Sequence, residues 1–318
     1  MKKLNKLIIA CDGESASGKS TAAKLISQKY NLLLVNSGLI YRYASKLIIK
    51  YKPKNKILFL KKKLIINKYS FIYQIILKYK QMSYLILVRH GQSTWNLENR
   101  FTGWVDVDLN ENGKAQANKA GELIKEKQIN IDLYYSSFQL RAKKTMKIIQ
   151  GKLNDYKNSK TAWQLNERHY GSLTGLNKDE MKQKLGEDKV HQFRRSWDLR
   201  PDPLDKNSSY HPLNIDTYKD IPVDKVPDTE SLKDTYERVI KFYNEEIETN
   251  FKNKNILISA HGNSIRALCK YLFNLDNNEI SKLEIPTGNP LLMKFNNKNK
   301  LLNSEYLDSE RAKDLLVY

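Results

Sequence analysis

Two short apolar segments of this sequence end in the same way. Residues 84–88 (YLILV) are followed by Arg-His-Gly, and residues 255–260 (NILISA) are followed by His-Gly. An apolar run of this length that stops at turn residues is typical of a buried strand. If the two strands are parallel neighbours, His90 and His261 meet at one edge of the sheet, where α/β proteins bind their ligands.

The rest of the chain alternates between strand and helix patterns around these two segments. The sequence predicts helices at about 113–127, 139–150, 229–249 and 263–273, and further strands at 132–135 and 291–295. A loop-rich excursion is expected at roughly 165–228. Such alternation predicts an α/β fold, a three-layer sandwich whose mainly parallel central sheet is covered by helices on both faces.

The positive charge is concentrated at one end of the chain. The net charge is +20 over 318 residues, and residues 1–82 hold 18 Lys and Arg residues against two acids. Residues 83–318 hold the remaining 37 basic residues and 33 acids. A high total charge suggests a nucleic-acid partner, but the longer part is nearly balanced, so none is predicted.

Other features of the composition bear on the setting of the protein. The two cysteines, Cys11 and Cys269, are far apart in sequence, which suggests a reducing, cytoplasmic environment. No signal peptide is evident, and the apolar segment at 64–79 carries two lysines and is too short to span a bilayer. No membrane association is therefore predicted.

The composition predicts three parts. Residues 46–82 form a Lys/Ile/Tyr-rich linker, and residues 83–318 form the main domain. Before the linker, GESASGKS (Gly13–Ser20) lies between a predicted strand at 4–11 and a predicted helix at 19–30, as a P-loop requires. A second strand is predicted at 32–35. The N-terminal segment would therefore be a partial P-loop fragment made of a strand, a helix and a second strand.

The N-terminal segment resembles the start of bacterial cytidylate kinase over about residues 6–45. No Asp or Glu occurs between Ser15 and Leu97, so a carboxylate that holds Mg²⁺ during phosphoryl transfer is missing there. We therefore interpret residues 1–45 as a truncated kinase-like remnant, with nucleotide binding as an alternative function. Its vestigial phosphate-binding residues would be Gly13, Gly18, Lys19 and Ser20.

The residues at the two strand ends suit phosphoryl transfer. An imidazole titrates near neutrality, so it can attack phosphorus and later leave. A phosphoryl group in transfer needs fixed positive charge around its oxygens. Arg89 adjoins His90, and Arg141 lies at the start of a predicted helix after another strand. Together with His261, these side chains predict an anion-binding catalytic pocket.

Six separated sequence blocks carry a family resemblance. They are LVRHGQSTWNLENRFTGW (87–104), LNERHYGSLTGLNK (165–178), QFRRSWDLRPDPL (192–204), PDTESL (227–232), SAHGNSIRAL (259–268) and EIPTGNPLL (284–292). The chain resembles the histidine phosphatase superfamily and, more narrowly, its cofactor-dependent phosphoglycerate mutases. The resemblance covers about residues 83–318.

The resemblance implies a role for each matching residue. His90 would be the nucleophile, carried as a phosphohistidine, and Glu167 the general acid and base. Arg89, Arg141 and His261 would stabilise the transferring phosphoryl group. The implied substrate-binding residues are Gly91, Gln92, Ser93, Asn96, Thr102, Gly103, Arg168, His169, Tyr170, Lys178, Arg194, Arg195, Gly262 and Asn263.

The resemblance also implies an activity. The expected reaction is the interconversion of 3-phosphoglycerate and 2-phosphoglycerate in glycolysis and gluconeogenesis, primed by 2,3-bisphosphoglycerate and without a metal. The expected partner is a small anionic substrate, and the family suggests a homo-oligomer, either dimer or tetramer. A phosphatase on the same scaffold is the closest alternative. Two features depart from the family pattern: Gln92 replaces an expected Glu, and residues 205–226 match poorly.

Overall fold

The computed structural model describes residues 48–55, 82–252, 254–296 and 298–312. The chain divides into two units, Met1–Leu77 and Lys78–Tyr318. In the first unit only one helical turn at 48–51 and the residues after it, up to 55, are described. The predicted P-loop fragment, with Gly13, Gly18, Lys19 and Ser20, lies outside the described residues. Within these described segments, no helix is long and apolar enough to cross a bilayer.

A six-stranded sheet organises the second unit. Its strands are β1 (Ser83–Arg89), β2 (Leu133–Ser136), β3 (Ser159–Thr161), β4 (Ile256–Ala260), β5 (Leu291–Phe295) and β6 (Leu301–Tyr306). Their order is β3-β2-β4-β1-β5-β6; β1 to β4 are parallel to one another, and β5 pairs antiparallel with both β1 and β6. The predicted, mainly parallel sheet is confirmed. The edge strands β3 and β6 were not predicted, because they are largely polar and exposed and lack an apolar run.

The four predicted helices are present, together with shorter helices that the sequence did not predict. They are α1 (Thr94–Leu97), α2 (Glu111–Glu126), α3 (Leu140–Leu153), α4 (Lys178–Leu185), α5 (Glu187–Arg195), α6 (Leu232–Phe242), α7 (Gly262–Phe273) and α8 (Asn277–Lys282). A π-helix, Tyr243–Glu248, continues α6. The excursion predicted as loop-rich contains α4 and α5. Each buries one apolar side chain, Met181 or Val190, which is too weak a pattern to recognise in the sequence.

Side chains of β1 alternate between two cores. Leu85 packs with the core that includes α6 and α7, whereas the adjacent Ile86 packs with the core that includes α2 and α3. This alternation follows from the two-residue period of a strand. The sheet is therefore covered by helices on both faces, which confirms the three-layer arrangement.

Candidate active site

The two histidines meet at one edge of the sheet. Because β1 and β4 are parallel and in register, with Arg89 opposite Ala260, the next residue of each strand is a histidine. The backbone N–H of His90 donates to the Ala260 carbonyl at 3.0 Å. The imidazole rings of His90 and His261 lie 4.9 Å apart between centroids, and both residues are buried. The strand pattern thus predicts this juxtaposition correctly.

The hydrogen bonds of His90 define its tautomer. Its Nδ1 lies 2.6 Å from the carbonyl oxygen of Gly91, which can only accept, so Nδ1 carries the proton. Nε2 therefore presents a lone pair, and Arg141 Nε donates to it at 3.3 Å. Burial lowers the pKa of His90 well below its usual value, and the charges of Arg141 and Arg89 lower it further. The ring is neutral and able to act as a nucleophile.

The guanidinium of Arg141 is held by a neighbouring turn. Its Nη1 donates to the Val105 carbonyl and its Nη2 to the Gly103 carbonyl, both at 2.9 Å. Gly103 has a φ of 54°, a left-handed conformation that favours glycine. This turn, at residues 101–105, thereby fixes a buried positive charge against the His90 ring.

His261 occupies the junction between β4 and α7. Its Nε2 is hydrogen-bonded to the Ser137 hydroxyl at 2.7 Å, whereas its buried Nδ1 contacts no partner within the described segments. Burial lowers the pKa of His261 well below its usual value, and the positive charges of Arg141 and Arg89 lower it further. The site therefore contains two neutral imidazoles beside fixed guanidinium charges.

The Glu167 carboxylate faces these groups from the loop between β3 and α4. Its Oε1 accepts from the backbone N–H of Arg168 at 2.8 Å and from that of Asn263 at 3.1 Å. Asn263 lies in the first turn of α7, where backbone N–H groups have no partner within the helix. A Cβ added at Gly262 would lie 3.7 Å from Glu167 Oε2, so this glycine leaves the space beside the carboxylate open.

A cavity of about 140 Å³ joins these groups. At about 30 Å³ for each water molecule, it has room for roughly five, which suits a small organic anion. Seven basic and two acidic side chains contribute to the lining, so the cavity is strongly cationic. Arg89 Nε and Thr102 Oγ1 are buried there without a hydrogen-bond partner among the described residues, leaving polar groups that a ligand could satisfy.

Most of the predicted site residues line this cavity. They are Arg89, His90, Asn96, Thr102, Gly103, Arg141, Glu167, Tyr170, Lys178, Arg194, Arg195, Gly262 and Asn263. Burial lowers the pKa of Lys178 to about 8, helped by Arg194 and Arg89. The residues come from several elements across the sheet edge, and packing of these elements brings them together.

Three predicted residues next to His90 do not line the cavity. The backbone N–H groups of Gly91 and Gln92 donate to the side chains of Thr145 at 3.1 Å and Gln116 at 2.9 Å. Ser93 caps α1. These polar groups are used inside the protein, and substrate binding by the three residues stays a prediction.

The hydrogen bonds of Gln92 explain how this residue can replace the Glu that the family pattern has at this position. Its side-chain Oε1 accepts from the amide groups of Asn110 at 2.8 Å and Asn112 at 3.1 Å. A glutamine oxygen provides this acceptor without a charge, so the replacement of Glu leaves the arrangement intact.

Arg168 and His169 also lie outside the cavity lining. The Arg168 guanidinium packs over the Tyr170 ring at 4.7 Å and donates to the Phe193 carbonyl. His169 Nδ1 accepts from the backbone N–H of Gly171 at 3.0 Å. Arg168 thus packs against Tyr170 and His169 stabilises the loop, and substrate contact stays a prediction for both residues.

The structure adds lining residues that sequence reasoning missed. They are Arg100, Phe101, Arg266, Glu284 and Ile285. Arg266 had a recognisable signal, because it follows Asn263 by three residues on α7 and so shares its helix face. Its Nη1 donates to Asn263 Oδ1 at 3.0 Å. Glu284 pairs with Arg195, a contact between distant segments that no local pattern indicates.

Comparison with known proteins identifies the family. A profile of the histidine phosphatase superfamily (branch 1) matches residues 85–213 and 205–305, and the chain belongs to this superfamily. A curated 2,3-bisphosphoglycerate-dependent phosphoglycerate mutase of Pelagibacter ubique is 68% identical over 238 residues, 74% of this chain and 100% of the relative. One from Borreliella burgdorferi is 46% identical over 228 residues, 71% of this chain and 92% of the relative. The chain belongs to this mutase family.

Two further comparisons concern the fold and the N-terminus. A mycobacterial glucosyl-3-phosphoglycerate phosphatase has a TM-score of 0.52 and 21% identity, covering 66% of this chain and 92% of that one. This similarity shows the fold alone. A cytidylate kinase profile matches residues 9–93, so the match extends beyond the kinase-like remnant and into β1.

Proposed function

We propose that this protein interconverts 3-phosphoglycerate and 2-phosphoglycerate through a phosphohistidine at His90. The observation that carries the proposal is the neutral His90 Nε2, held beside Arg141 at the head of a cationic cavity. The relatives of the same family are named for this activity. The role is that of an isomerase in glycolysis and gluconeogenesis.

The basic residues of the cavity suit the two anionic groups of phosphoglycerate. The charges of Arg89 and Arg141 act on His90, so the transferring phosphate would bind beside them. Lys178, Arg194 and Arg195 would hold the carboxylate or a second phosphate, because guanidinium groups bind such anions with paired hydrogen bonds. The same set would hold 2,3-bisphosphoglycerate, which supplies the phosphoryl group that primes the enzyme.

The chain's own residues account for the chemistry. His90 Nε2 bonds to phosphorus as the ester P–O bond breaks, and Glu167 protonates the departing hydroxyl oxygen. Arg89 and Arg141 stabilise the charge on the phosphoryl oxygens, with His261 beside them. In the reverse direction Glu167 removes the proton from the hydroxyl that attacks the phosphohistidine. The positive charge for both directions comes from protein side chains.

The same proposal covers the organisation of the chain. Residues 83–318 act as the mutase domain, after a kinase-like remnant at 1–45 and a linker at 46–82. All described cavity residues lie within the mutase domain, which supports this division. We place the protein in the cytoplasm, as a homo-oligomer that acts on small anionic substrates.

The test is a mutase assay with and without 2,3-bisphosphoglycerate, run beside an assay of phosphate release. We expect primer-dependent mutase activity in the wild type and a loss of at least about 1,000-fold in His90→Ala, since the nucleophile is removed. His191→Ala, which changes an exposed histidine, is the matched control and should retain the rate. Phosphate release without mutase activity would favour a phosphatase instead.

A further inference from the structure

Arg238 lies on α6, outside the cavity lining, and reaches the loop that carries Glu167. Its side chain is 9% exposed. Nη1 donates to the carbonyls of Gln164 at 2.6 Å and Asn166 at 3.0 Å, and Nη2 donates to the carbonyl of Glu167 at 3.0 Å. One guanidinium thus holds three backbone carbonyls in four consecutive residues of this loop.

Glu230 completes the arrangement from the residues just before α6. Arg238 Nε donates to Glu230 Oε1 at 2.7 Å, and Nη2 donates to Oε2 at 2.9 Å. Glu230 Oε2 also accepts from the backbone N–H of His169 at 2.8 Å. Arg238 therefore binds the loop through carbonyl groups up to and including that of Glu167. Glu230 binds the loop beyond Glu167, through the N–H of His169.

The guanidinium of Arg238 has no unused donor. Its five N–H groups match the five hydrogen bonds to Glu230 and to the three carbonyls. A buried ion pair with complete hydrogen bonding avoids the penalty of unpaired buried charge. Lysine cannot reproduce this arrangement, because an ammonium group has three donors and no planar fork.

The position of this loop determines where the Glu167 carboxylate lies. Glu167 Oε1 accepts from the Arg168 N–H, which belongs to the same loop, and from the Asn263 N–H of α7. A shift of the loop would move the carboxylate relative to α7 and the cavity. His90 and Arg141 belong to other elements, and their side-chain hydrogen bonds do not involve this loop.

We infer that Arg238 and Glu230 form a positioning clamp that sets the Glu167 carboxylate for proton transfer. The inference rests on the proposed function, in which Glu167 acts as general acid and base. The clamp does not touch substrate, so its removal should affect proton transfer much more than anion binding. A displacement of about 1 Å at a catalytic group can lower a rate by about 100-fold.

A second arginine–carboxylate pair, which involves one residue of α6, provides a matched control. Arg200 lies outside α6 and binds Asp234 of this helix through Nε and Nη2, so this pair is also bidentate. The Arg200 side chain is 58% exposed, and its hydrogen bonds do not involve the Glu167 loop. Arg200→Lys makes the same chemical change as Arg238→Lys at a place that the clamp does not use.

The experiment compares these two variants in the full chain. Arg238→Lys keeps a charge for Glu230 but loses donors to the loop, so we expect kcat to fall by about tenfold or more. KM and the affinity for orthovanadate, a phosphate analogue, should stay within about twofold, because His90, Arg89 and Arg141 are held elsewhere. Arg200→Lys should leave all three values unchanged.

A double variant tests the clamp without a buried unpaired charge. Arg238→Met with Glu230→Leu replaces the ion pair by apolar side chains, which is often neutral for stability. We expect native circular dichroism with a fall in kcat of about 100-fold. If the double variant does not fold, the result for Arg238→Lys decides the question.

Two results would overturn the clamp. One is a wild-type kcat in folded Arg238→Lys, and the other is a loss of orthovanadate affinity equal to the loss of kcat. The proposed function is judged separately, by the activity of the wild type. If the wild type releases phosphate instead of acting as a mutase, the kcat of each variant relative to the wild type is measured for phosphate release.

Discussion

Burial and neighbouring charges set the ionisation of individual residues at this site. Desolvation keeps the His90 and His261 imidazoles neutral, and the adjacent guanidinium groups act in the same direction. Burial has a comparable effect on Lys178, whose pKa is lowered to about 8. The lysine therefore loses its charge within the range of an ordinary activity assay.

Lys178 predicts how substrate capture depends on pH. The side chain is charged below its pKa of about 8 and becomes neutral as the pH rises through that value. Because the neutral amine no longer attracts the anionic substrate, kcat/KM, which reports the free enzyme, should decline above about pH 8. The measurement is kcat/KM between pH 6.5 and 9.5.

Lys178→Arg is the matched variant for this profile. Arginine keeps its charge throughout the assayed range, so the decline attributed to residue 178 should disappear even if the absolute rate is lower. An unchanged decline in the variant would assign the titration to another group.

At the scale of elements, α2 packs directly against the loop after β1. A Cβ at Gly113 would lie 2.0 Å from the Gln92 carbonyl oxygen, and one at Gly91 would lie 2.1 Å from the Gly113 carbonyl oxygen. Both positions therefore require glycine for a close approach of two backbones. This contact holds the loop that begins at His90 against the start of the helix.

Two glycine-to-alanine variants distinguish the steric cost of this close contact from the general gain in helix propensity when alanine replaces glycine. Gly113→Ala should lower the free energy of unfolding by about 1–3 kcal/mol through overpacking, and lower kcat by shifting the His90 loop. Gly151→Ala, in α3, meets no atom within 4 Å and should raise stability by about 0.5–1 kcal/mol. Urea unfolding measures both. Equal effects in the two variants would contradict the close-approach argument.

On the scale of the whole molecule, the described core and cavity belong to one part of the chain. Their residues lie between 83 and 306, and this part is nearly balanced in charge. The cavity is nevertheless strongly cationic, because local charge determines the field that an anion meets. The excess charge of residues 1–82 is therefore not needed to explain anion binding.

A chain that begins at Met82 tests this division. We expect it to fold and to keep the kcat and KM of the full chain within about twofold, since each described core cluster is formed from later residues. Thermal unfolding and the mutase assay measure both properties. A truncated chain that is unfolded or inactive would show that the first 81 residues contribute to the mutase.

Local sequence patterns were enough to predict the central strands, the larger helices and the chemistry of the strand ends. Apolar runs and helical periodicity are local properties, so β1, β4 and α7 could be predicted without coordinates. The meeting of His90 and His261 followed from the rule that parallel strands share a carboxyl edge. The family pattern supplied Glu167, Arg194 and Arg195, whereas Arg100 and Arg266 of the cavity were missed.

Sequence patterns could not predict which polar groups face the cavity and which form hydrogen bonds within the protein. Gly91 and Gln92 adjoin the nucleophile in sequence, yet their N–H groups bind side chains of α2 and α3. Arg238, far from Glu167 in sequence, makes three hydrogen bonds to carbonyls of the Glu167 loop. The physical reason is that hydrogen-bond partners depend on distances between packed elements, which local sequence patterns do not specify.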